Sequence, residues 1–196
     1  MDRTDDLWPW RTNLRPATFR TLIGLLACTG IRKCEALKLC DDDFDFTAGT
    51  LRVPATKWSA PRTLPLHPSA IRALRHYQSL RHDRDPCTRH FFVGPFGRPL
   101  SGSSAQWTFR HLTQGIPSNG ARPGLRLYDF RHTFATRLIS RWSRQSVPLA
   151  NRLVLLSRYL GHKYFHHTYW YVQHDLSALR AAANRFEQYR RISGSP

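Results

Sequence analysis

The sequence predicts a mainly α-helical protein with a small antiparallel β-sheet, an α+β fold. Three observations support this prediction. The chain has 196 residues, of which 41% are hydrophobic, which is enough for one domain with a buried core. Apolar residues recur at helical spacing through most of the chain. Only residues 44–66 change to short runs bounded by turn residues, which is the pattern of strands.

The first elements are two helices. Pro16 opens a helix that ends near Thr29-Gly30, because proline suits a first helical turn and glycine suits the position after a helix. A second helix is predicted from Arg32 to Leu39, ending at the aspartates that follow Cys40.

The middle of the chain alternates between strands and helices. Turn residues such as Gly49 and Pro61 separate the strands, and Ser103 or Ser104 can cap the second helix of this region. The predicted elements are strands at 44–46, 50–53, 62–66 and 90–93, helices at 68–84 and from Ser103 or Ser104 to Leu112, and a loop at 115–124.

The last third of the chain is predicted to be helical. Three helices span about 128–142, 148–160 and 166–173, and a fourth begins at Asp175 or Ser177 and ends near Arg190. With no internal repeat or low-complexity segment, residues 16–190 form one domain. Residues 1–15 are then a lead-in or linker, and residues 191–196 are a tail.

The charge of the chain indicates a polyanionic partner. Lysine and arginine number 30 against 13 acidic residues, which gives a formal charge of +17. Basic ribosomal-type proteins and membrane-surface proteins share such a charge. No run approaches the ~20 apolar residues that span a bilayer, and the acidic N-terminus lacks the pattern of a secretory signal. We therefore expect a cytoplasmic protein, associated with the nucleoid if the host is a bacterium.

The four cysteines give no sign of a metal site. Cys28, Cys34, Cys40 and Cys87 lack the close CxxC spacing of zinc ligands, so we expect neither a metal nor another cofactor. Cys28 and Cys34 are predicted to pack inside the first helices as small apolar residues.

Three separate segments carry residues suited to phosphodiester chemistry. They are Thr29–Leu37, Tyr128–Thr136 and Leu160–Tyr171, and together they contain two arginines, imidazoles and a phenol. Cutting a phosphodiester without a metal requires an activated nucleophile, cations on the non-bridging oxygens and an acid for the leaving oxygen. These segments contain each of those groups.

In these segments the chain resembles the tyrosine recombinases, also called phage-type integrases. The resemblance implies their catalytic-domain fold over about residues 15–190 and a nucleophile at Tyr171, which becomes linked to a DNA 3′-phosphate. It also implies two arginines that hold the scissile phosphate, a hairpin lysine that protonates the leaving 5′-oxygen, and a histidine near the phosphate. The implied catalytic residues are Arg32, Lys57, Tyr128, Arg131, His162 and Tyr171.

Further residues are assigned with less specificity. Arg62, His132 and Lys163 are candidate DNA-binding residues, although Arg62 is equally a solvated strand residue. Tyr128 departs from the family pattern, in which histidine is commoner, so acid–base work would rest more on Lys57 and His132.

The last of the three segments also favours one tyrosine as the nucleophile and one branch of the family. Spacing from His162 favours Tyr171 over Tyr169 and Tyr164 as the nucleophile. The separation of 31 residues from Arg131 to His162, together with the run Thr168-Tyr169-Trp170-Tyr171, resembles transposon-borne members of the family. Within the helix that carries Arg131, we predict that Phe130, Phe134 and Leu138 face the core and that Arg131 points elsewhere.

The implied partner is double-stranded DNA at recombination sites, bound by a homotetramer that is joined through the C-terminal helix. We expect no counterpart of the N-terminal core-binding domain that most recombinases carry. Two alternatives stay open. One is type IB topoisomerase-like relaxation of DNA, and the other is a non-catalytic or regulatory relative that only binds DNA.

Overall fold

A computed structural model describes residues 14–57, 59–83, 88–94, 97–117, 124–145 and 149–173. The predicted fold class is confirmed, since helices surround one small antiparallel sheet. The helices are α1 (Leu14–Thr29), α2 (Lys33–Ala36), α3 (Pro68–His82), α4 (Gly102–Leu112), α5 (Asp129–Ser143), α6 (Leu149–Leu160) and α7 (His166–Gln173). The strands are β1 (Phe44–Asp45), β2 (Thr50–Val53) and β3 (Arg62–Pro65).

The sheet is a meander in the order β1-β2-β3. Leu51 pairs with Phe44 on one side and with Leu64 on the other, and these three side chains are buried. Arg52, next along β2, is exposed. Because side chains alternate between the two faces of a strand, one face of the sheet covers the core and the other meets solvent.

Two hydrophobic clusters make up the core. The larger one joins α1, the sheet, α3 and α4 and includes a group of contacting rings around Tyr77, Phe91 and Phe92. The smaller one lies between α5, α6 and α7 and includes Tyr171. Tyr159 packs against both clusters. The end of α6 therefore lies where the two halves of the molecule meet.

Some predicted elements differ from the observed ones. The helix expected from Arg32 to Leu39 is the single turn α2, because the amide of Leu39 bonds to Ala36 three residues back and the chain tightens into a 3₁₀ turn at Asp41–Asp43. Residues 90–93 are not a regular strand and make only isolated bridges. Phe91 and Phe92 are consecutive and both fully buried, which the alternation of a two-faced strand does not allow.

Smaller corrections concern caps and cysteines. The cap of α4 is Ser101, whose Oγ accepts a hydrogen bond from the amide of Ser104 at 3.1 Å. Cys28 and Cys34 are exposed rather than packed, because they lie on the outer faces of α1 and the α2 turn. The predicted C-terminal helix after residue 174, the tail and most of the predicted lead-in lie outside the described residues. No helix in the described ranges is long and apolar enough to cross a membrane.

Candidate active site

Three segments that are distant in sequence converge on one cleft of about 590 Å³. They are the start of α2, the start of α5, and the α6–α7 connection with α7 itself. The cleft is lined by Arg32, Tyr128, His132, His162, His166, His167, Tyr169, Trp170 and Tyr171. The structure therefore brings the three motifs of the sequence to one place.

Arg131 has 1% of its surface exposed, and it is not among the described residues that line the cleft. Its Nη1 donates to the carbonyl of Gly30 at 3.0 Å, and its Nη2 donates to the carbonyl of Leu160 at 2.7 Å. Among the described residues, its buried Nε has no hydrogen-bond partner. Burial, and then the charge of Arg32, lowers the pKa of Arg131 to about 10, so the guanidinium stays charged at neutral pH.

The prediction that Arg131 points away from the core is wrong. Arg131, Ala135 and Ile139 lie four residues apart and form the most buried face of α5. Phe130, Phe134 and Leu138 are only partly buried. An arginine can occupy the buried face because two backbone carbonyls accept its hydrogen bonds there.

Backbone carbonyls at the C-terminal end of α6 accept hydrogen bonds from three arginines. Gly161 adopts φ +67°, its amide bonds to the carbonyl of Arg158, and the amide of His162 bonds to the carbonyl of Ser157, which together form a Schellman motif. The last carbonyls of a helix carry partial negative charge. Three guanidinium groups donate to successive carbonyls here: Arg62 to Tyr159, Arg131 to Leu160 and Arg32 to Gly161.

Glu35 fixes two of these arginines from the other side. The carboxylate is 1% exposed and pairs with Arg62 at 2.8 Å and with Arg32 at 3.2 Å. Its Oε2 also accepts the amide of Arg32 at 2.8 Å. Burial alone would raise the pKa of Glu35, but the hydrogen bonds and charges of Arg62 and Arg32 outweigh burial and bring the pKa to about 2.

Arg62 was expected to be a DNA-binding residue or a solvated strand residue, and its contacts fit neither expectation. Its side chain is 9% exposed, so it is not a solvated strand residue. Four of its five N–H donors are used by Tyr159, Ser59 and the two oxygens of Glu35. Arg62 therefore ties β3 to α2 and to the end of α6, and it is not placed to bind DNA phosphate.

His162 is oriented by α7. Its Nδ1 is hydrogen-bonded to Oγ1 of Thr168 at 2.6 Å, and Thr168 is fully buried. With Nδ1 engaged, Nε2 is the ring nitrogen left for a ligand in the cleft. Burial, followed by the charges of Arg131 and Arg32, lowers the pKa of His162 to about 3, so the ring is neutral at neutral pH.

Tyr171 is the buried tyrosine of the α7 segment. It is 2% exposed, whereas Tyr169 and Tyr164 are about half exposed. Arg131 and Tyr128 are the side chains that act on the pKa of its hydroxyl. Burial raises the pKa of Tyr171 although the charge of Arg131 opposes that change. The phenol is therefore neutral at rest and lies against one of the candidate phosphate-binding arginines.

Tyr128 and His132 lie one helical turn apart at the start of α5, beside Tyr171. The ring centroid of His132 is 4.6 Å from that of Tyr128 and 5.4 Å from that of Tyr171. Tyr128 is 47% exposed and lines the cleft. The position where the family usually has histidine thus has a phenol, and an imidazole lies next to it.

The two candidate lysines lie outside the cleft. Lys57 is exposed in the turn between β2 and β3, and it is not among the described residues that line the cleft. Lys163 is exposed, with its Nζ 5.4 Å from the ring centroid of Tyr164.

Sequence reasoning missed the contribution of Thr168 and of the lining residues His166, His167 and Trp170. A signal for Thr168 was present. It stands three residues before Tyr171 on a helix, so the two side chains share one face, and both are buried.

The comparison that decides the family is with a sequence model of the phage integrase family, which matches residues 10–177 of the chain. The chain belongs to the phage integrase family. The matched range includes Arg32, Arg131, His162 and Tyr171.

Two bacterial members of the phage integrase family illustrate the similarity in sequence. The y4rB protein of Sinorhizobium fredii, whose name assigns it to the integrases and recombinases, is 35% identical over 91% of this chain and 58% of its own length. The tyrosine recombinase XerC of Azotobacter vinelandii is 31% identical over 83% of this chain and 50% of its own length. The chain thus spans about half to three fifths of these relatives.

Solved structures confirm the fold of the phage integrase family. The XerH site-specific recombinase bound to palindromic difH substrate superposes with a TM-score of 0.71 at 23% identity, covering 94% of this chain and 50% of that one. The Tn1549 transposon integrase in complex with transposon right end DNA superposes with a TM-score of 0.65 at 20% identity, covering 86% and 57%.

Proposed function

We propose that this protein is a site-specific DNA recombinase or integrase that cuts and rejoins DNA through a 3′-phosphotyrosine intermediate. The observation that carries the proposal is the burial of Tyr171 in a cleft that is also lined by Arg32 and His162, where the charge of Arg131 acts on its hydroxyl. A nucleophile beside two fixed cations is the arrangement that attack on a phosphodiester needs.

The proposed reaction exchanges one ester for another. Oη of Tyr171 forms a bond to phosphorus, the bond from phosphorus to the 5′-oxygen breaks, and the 5′-oxygen takes up a proton. Attack by a 5′-hydroxyl of a second strand reverses these steps and frees Tyr171. Because the phosphoester energy is kept in the tyrosine link, the exchange requires neither ATP nor a metal ion.

Arg32 and Arg131 would stabilise the charge that develops on the phosphate. Arg131 cannot rotate freely, because two carbonyls hold it, so it contributes a fixed cation that needs no reorganisation during the reaction. Arg32 lines the cleft and has 20% of its side chain exposed, which leaves it accessible to a phosphate. His162 would donate from Nε2 to a non-bridging oxygen.

Proton transfer is proposed to involve groups on two sides of the phosphate. The ring of His132 contacts the rings of Tyr128 and Tyr171, and His132 would accept the proton of Tyr171. Lys57, on an exposed turn, would protonate the leaving 5′-oxygen after the hairpin meets the DNA. Lys163 would contact the DNA backbone near the cleft.

The proposal also names the binding partners of the protein and its location in the cell. Double-stranded DNA at recombination sites fits the charge of +17. The XerH and Tn1549 proteins were solved with DNA, which supports the same partner here. We further propose a homotetramer joined through residues 175–190, acting on transposon-borne or chromosomal DNA in the bacterial nucleoid.

A suicide-substrate experiment tests the reaction. The protein is incubated with nicked DNA carrying candidate sites, in buffer with EDTA and without ATP, and the products are separated in SDS. The proposal expects an SDS-resistant protein–DNA adduct and a released 5′-hydroxyl oligonucleotide. DNA binding without any adduct would contradict it and would favour the non-catalytic alternative, for which the phenol at Tyr128 is the supporting observation.

A second experiment separates recombination from topoisomerase-like relaxation. A supercoiled plasmid with two sites is compared with a plasmid that has none. Recombination predicts joined or inverted products only when two sites are present. Relaxation of both plasmids without exchange would instead assign the same tyrosine chemistry to a type IB topoisomerase-like activity.

A further inference from the structure

A row of exposed rings borders the cleft on the side of α7. It consists of Tyr164, His166, His167, Tyr169 and Trp170, and we name it the ring platform. Tyr164, Tyr169 and Trp170 are 53%, 48% and 44% exposed. Large aromatic side chains that stay open to solvent beside a site are typical of binding surfaces.

Three rings of the platform, those of Tyr164, His166 and His167, contact one another and connect through His162 to Tyr171. The rings of Tyr164 and His166 are nearly parallel, with centroids 5.6 Å apart and an interplanar angle of 12°. His166 and His167 follow at 4.2 Å, and His167 contacts His162 at 5.7 Å. The ring of His162 is in turn nearly parallel to that of Tyr171. A series of ring contacts therefore connects the exposed rings to the buried ring of Tyr171.

The chemistry of the platform favours nucleic acid over a protein partner. Each of its rings carries a polar atom, and cations lie at both ends, Lys163 over the ring of Tyr164 and Arg32 in the cleft. Aromatic rings beside cations match a ligand that has planar groups on an anionic backbone. An aliphatic surface such as that around the exposed Leu155 of α6 lacks this combination.

Unpaired bases are expected at this place during the proposed reaction. A strand that is cut at Tyr171 and joined to a different duplex must first leave its old partner strand, so nucleotides next to the cut bond lose their pairing and stacking. We propose that the ring platform binds these unstacked nucleobases. This inference rests on the proposed function, and it assigns the platform a ligand class, single-stranded DNA next to the cleaved bond.

Equilibrium binding tests the inference without any cleavage. The full chain is titrated with fluorescein-labelled oligothymidylate and with an abasic oligomer of equal phosphate number, and fluorescence anisotropy is recorded. Stacking on the platform predicts at least about fivefold tighter binding of the oligomer that has bases. Tyr164→Ala and Tyr169→Ala should each reduce that ratio, while Leu155→Ala, which removes exposed apolar surface elsewhere, should leave it unchanged.

The outcomes are distinguishable from those of the adduct experiment. Equal affinity for the two oligomers would overturn the inference, even if the covalent adduct forms and the proposed function stands. A ratio that both tyrosine variants leave unchanged would overturn it as well. If the variants instead alter the oligomeric state in light scattering and not the ratio, the platform is a protein contact. A preserved ratio without an adduct would support base binding and contradict the proposed function alone.

Discussion

A cation and a second phenol act in opposite directions on the pKa of the Tyr171 hydroxyl. Arg131 stabilises the phenolate, whereas burial and Tyr128 favour the neutral form, and the pKa is raised overall. The proposed nucleophile is therefore protonated at rest and would have to lose its proton when a phosphate arrives. At the scale of single residues, the protein holds this phenol in the cleft without ionising it.

Thr168 controls the orientation of His162, and its removal should be measurable. Thr168→Val removes the hydrogen bond to Nδ1 and leaves that buried nitrogen without this partner, so the free energy of unfolding should fall by about 1 kcal/mol. Urea denaturation measures this change. Thr168→Ser keeps the hydroxyl and should retain most of that hydrogen bond. A Thr168→Val variant as stable as the wild type, with a loss only in Thr168→Ser, would show that the methyl group matters rather than the hydrogen bond.

Sequence patterns predict which residues form the site better than they predict the contacts that those residues make. Arg32, Arg131, His162 and Tyr171 are recognisable from local motifs, and the structure brings them together. Apart from Ser59, the partners of Arg62 and Arg131 were not predictable, because they are a carboxylate and backbone carbonyls 27 to 101 residues away in the chain. Contacts of that range depend on how the elements pack, and a local pattern does not encode them.

The end of α6 is the element that joins the site to the sheet. Its Schellman motif places His162, and its carbonyls hold the guanidinium groups of three arginines. The turn requires glycine at position 161, since φ is +67° and a Cβ there would lie 2.7 Å from Nη1 of Arg62. A single residue thus connects helix termination with arginine placement.

Gly161→Ala should therefore destabilise the protein more than an ordinary glycine substitution. Adopting the left-handed conformation costs about 1–2 kcal/mol for alanine, and the collision with Arg62 and Ser59 adds to this cost. Gly115→Ala is a matched control, because Gly115 has φ +79° and open space around its Cβ position. Thermal unfolding compares the two variants. Equal melting temperatures would exclude a role for the close approach at Gly161.

Helical periodicity predicted most elements well. The predicted 166–173 helix is α7, and the bounds of α5 and α6 were predicted to within one residue. Prediction failed where local hydrogen bonding replaces a regular element, as in the single turn of α2. It also failed at residues 90–93, where two consecutive phenylalanines are buried by the surrounding core.

For the whole molecule, the ionic contacts of the site link stability to pH. In the unfolded chain His162 gains a proton below about pH 6.5, whereas the native ring gains one only near pH 3. The free energy of unfolding therefore decreases as the pH is lowered through that range. The unfolded carboxylate of Glu35 protonates near pH ~4.3, whereas the native one stays ionised to about pH 2. Its contribution is present above about pH 4.3 and is lost as pH falls toward 2.

The His162 part of this dependence can be isolated by mutation. His162→Gln removes the titrating ring, so the decrease in stability between pH 6.5 and about 5 should become smaller than in the wild type. Urea denaturation at these pH values measures the change. A variant with the full wild-type decrease would place that titration on another residue. The Glu35 contribution, at lower pH, should persist in this variant.

The central claim is that Tyr171 is the nucleophile, and one measurement tests it most directly. Tyr171→Phe and Tyr169→Phe are compared with the wild type for the SDS-resistant adduct on a nicked substrate, with DNA binding measured in parallel. We expect Tyr171→Phe to bind DNA nearly as well as the wild type and to form no adduct, whereas Tyr169→Phe should still form one. An adduct that persists in Tyr171→Phe would assign the linkage to another tyrosine and show that Tyr171 is not the nucleophile.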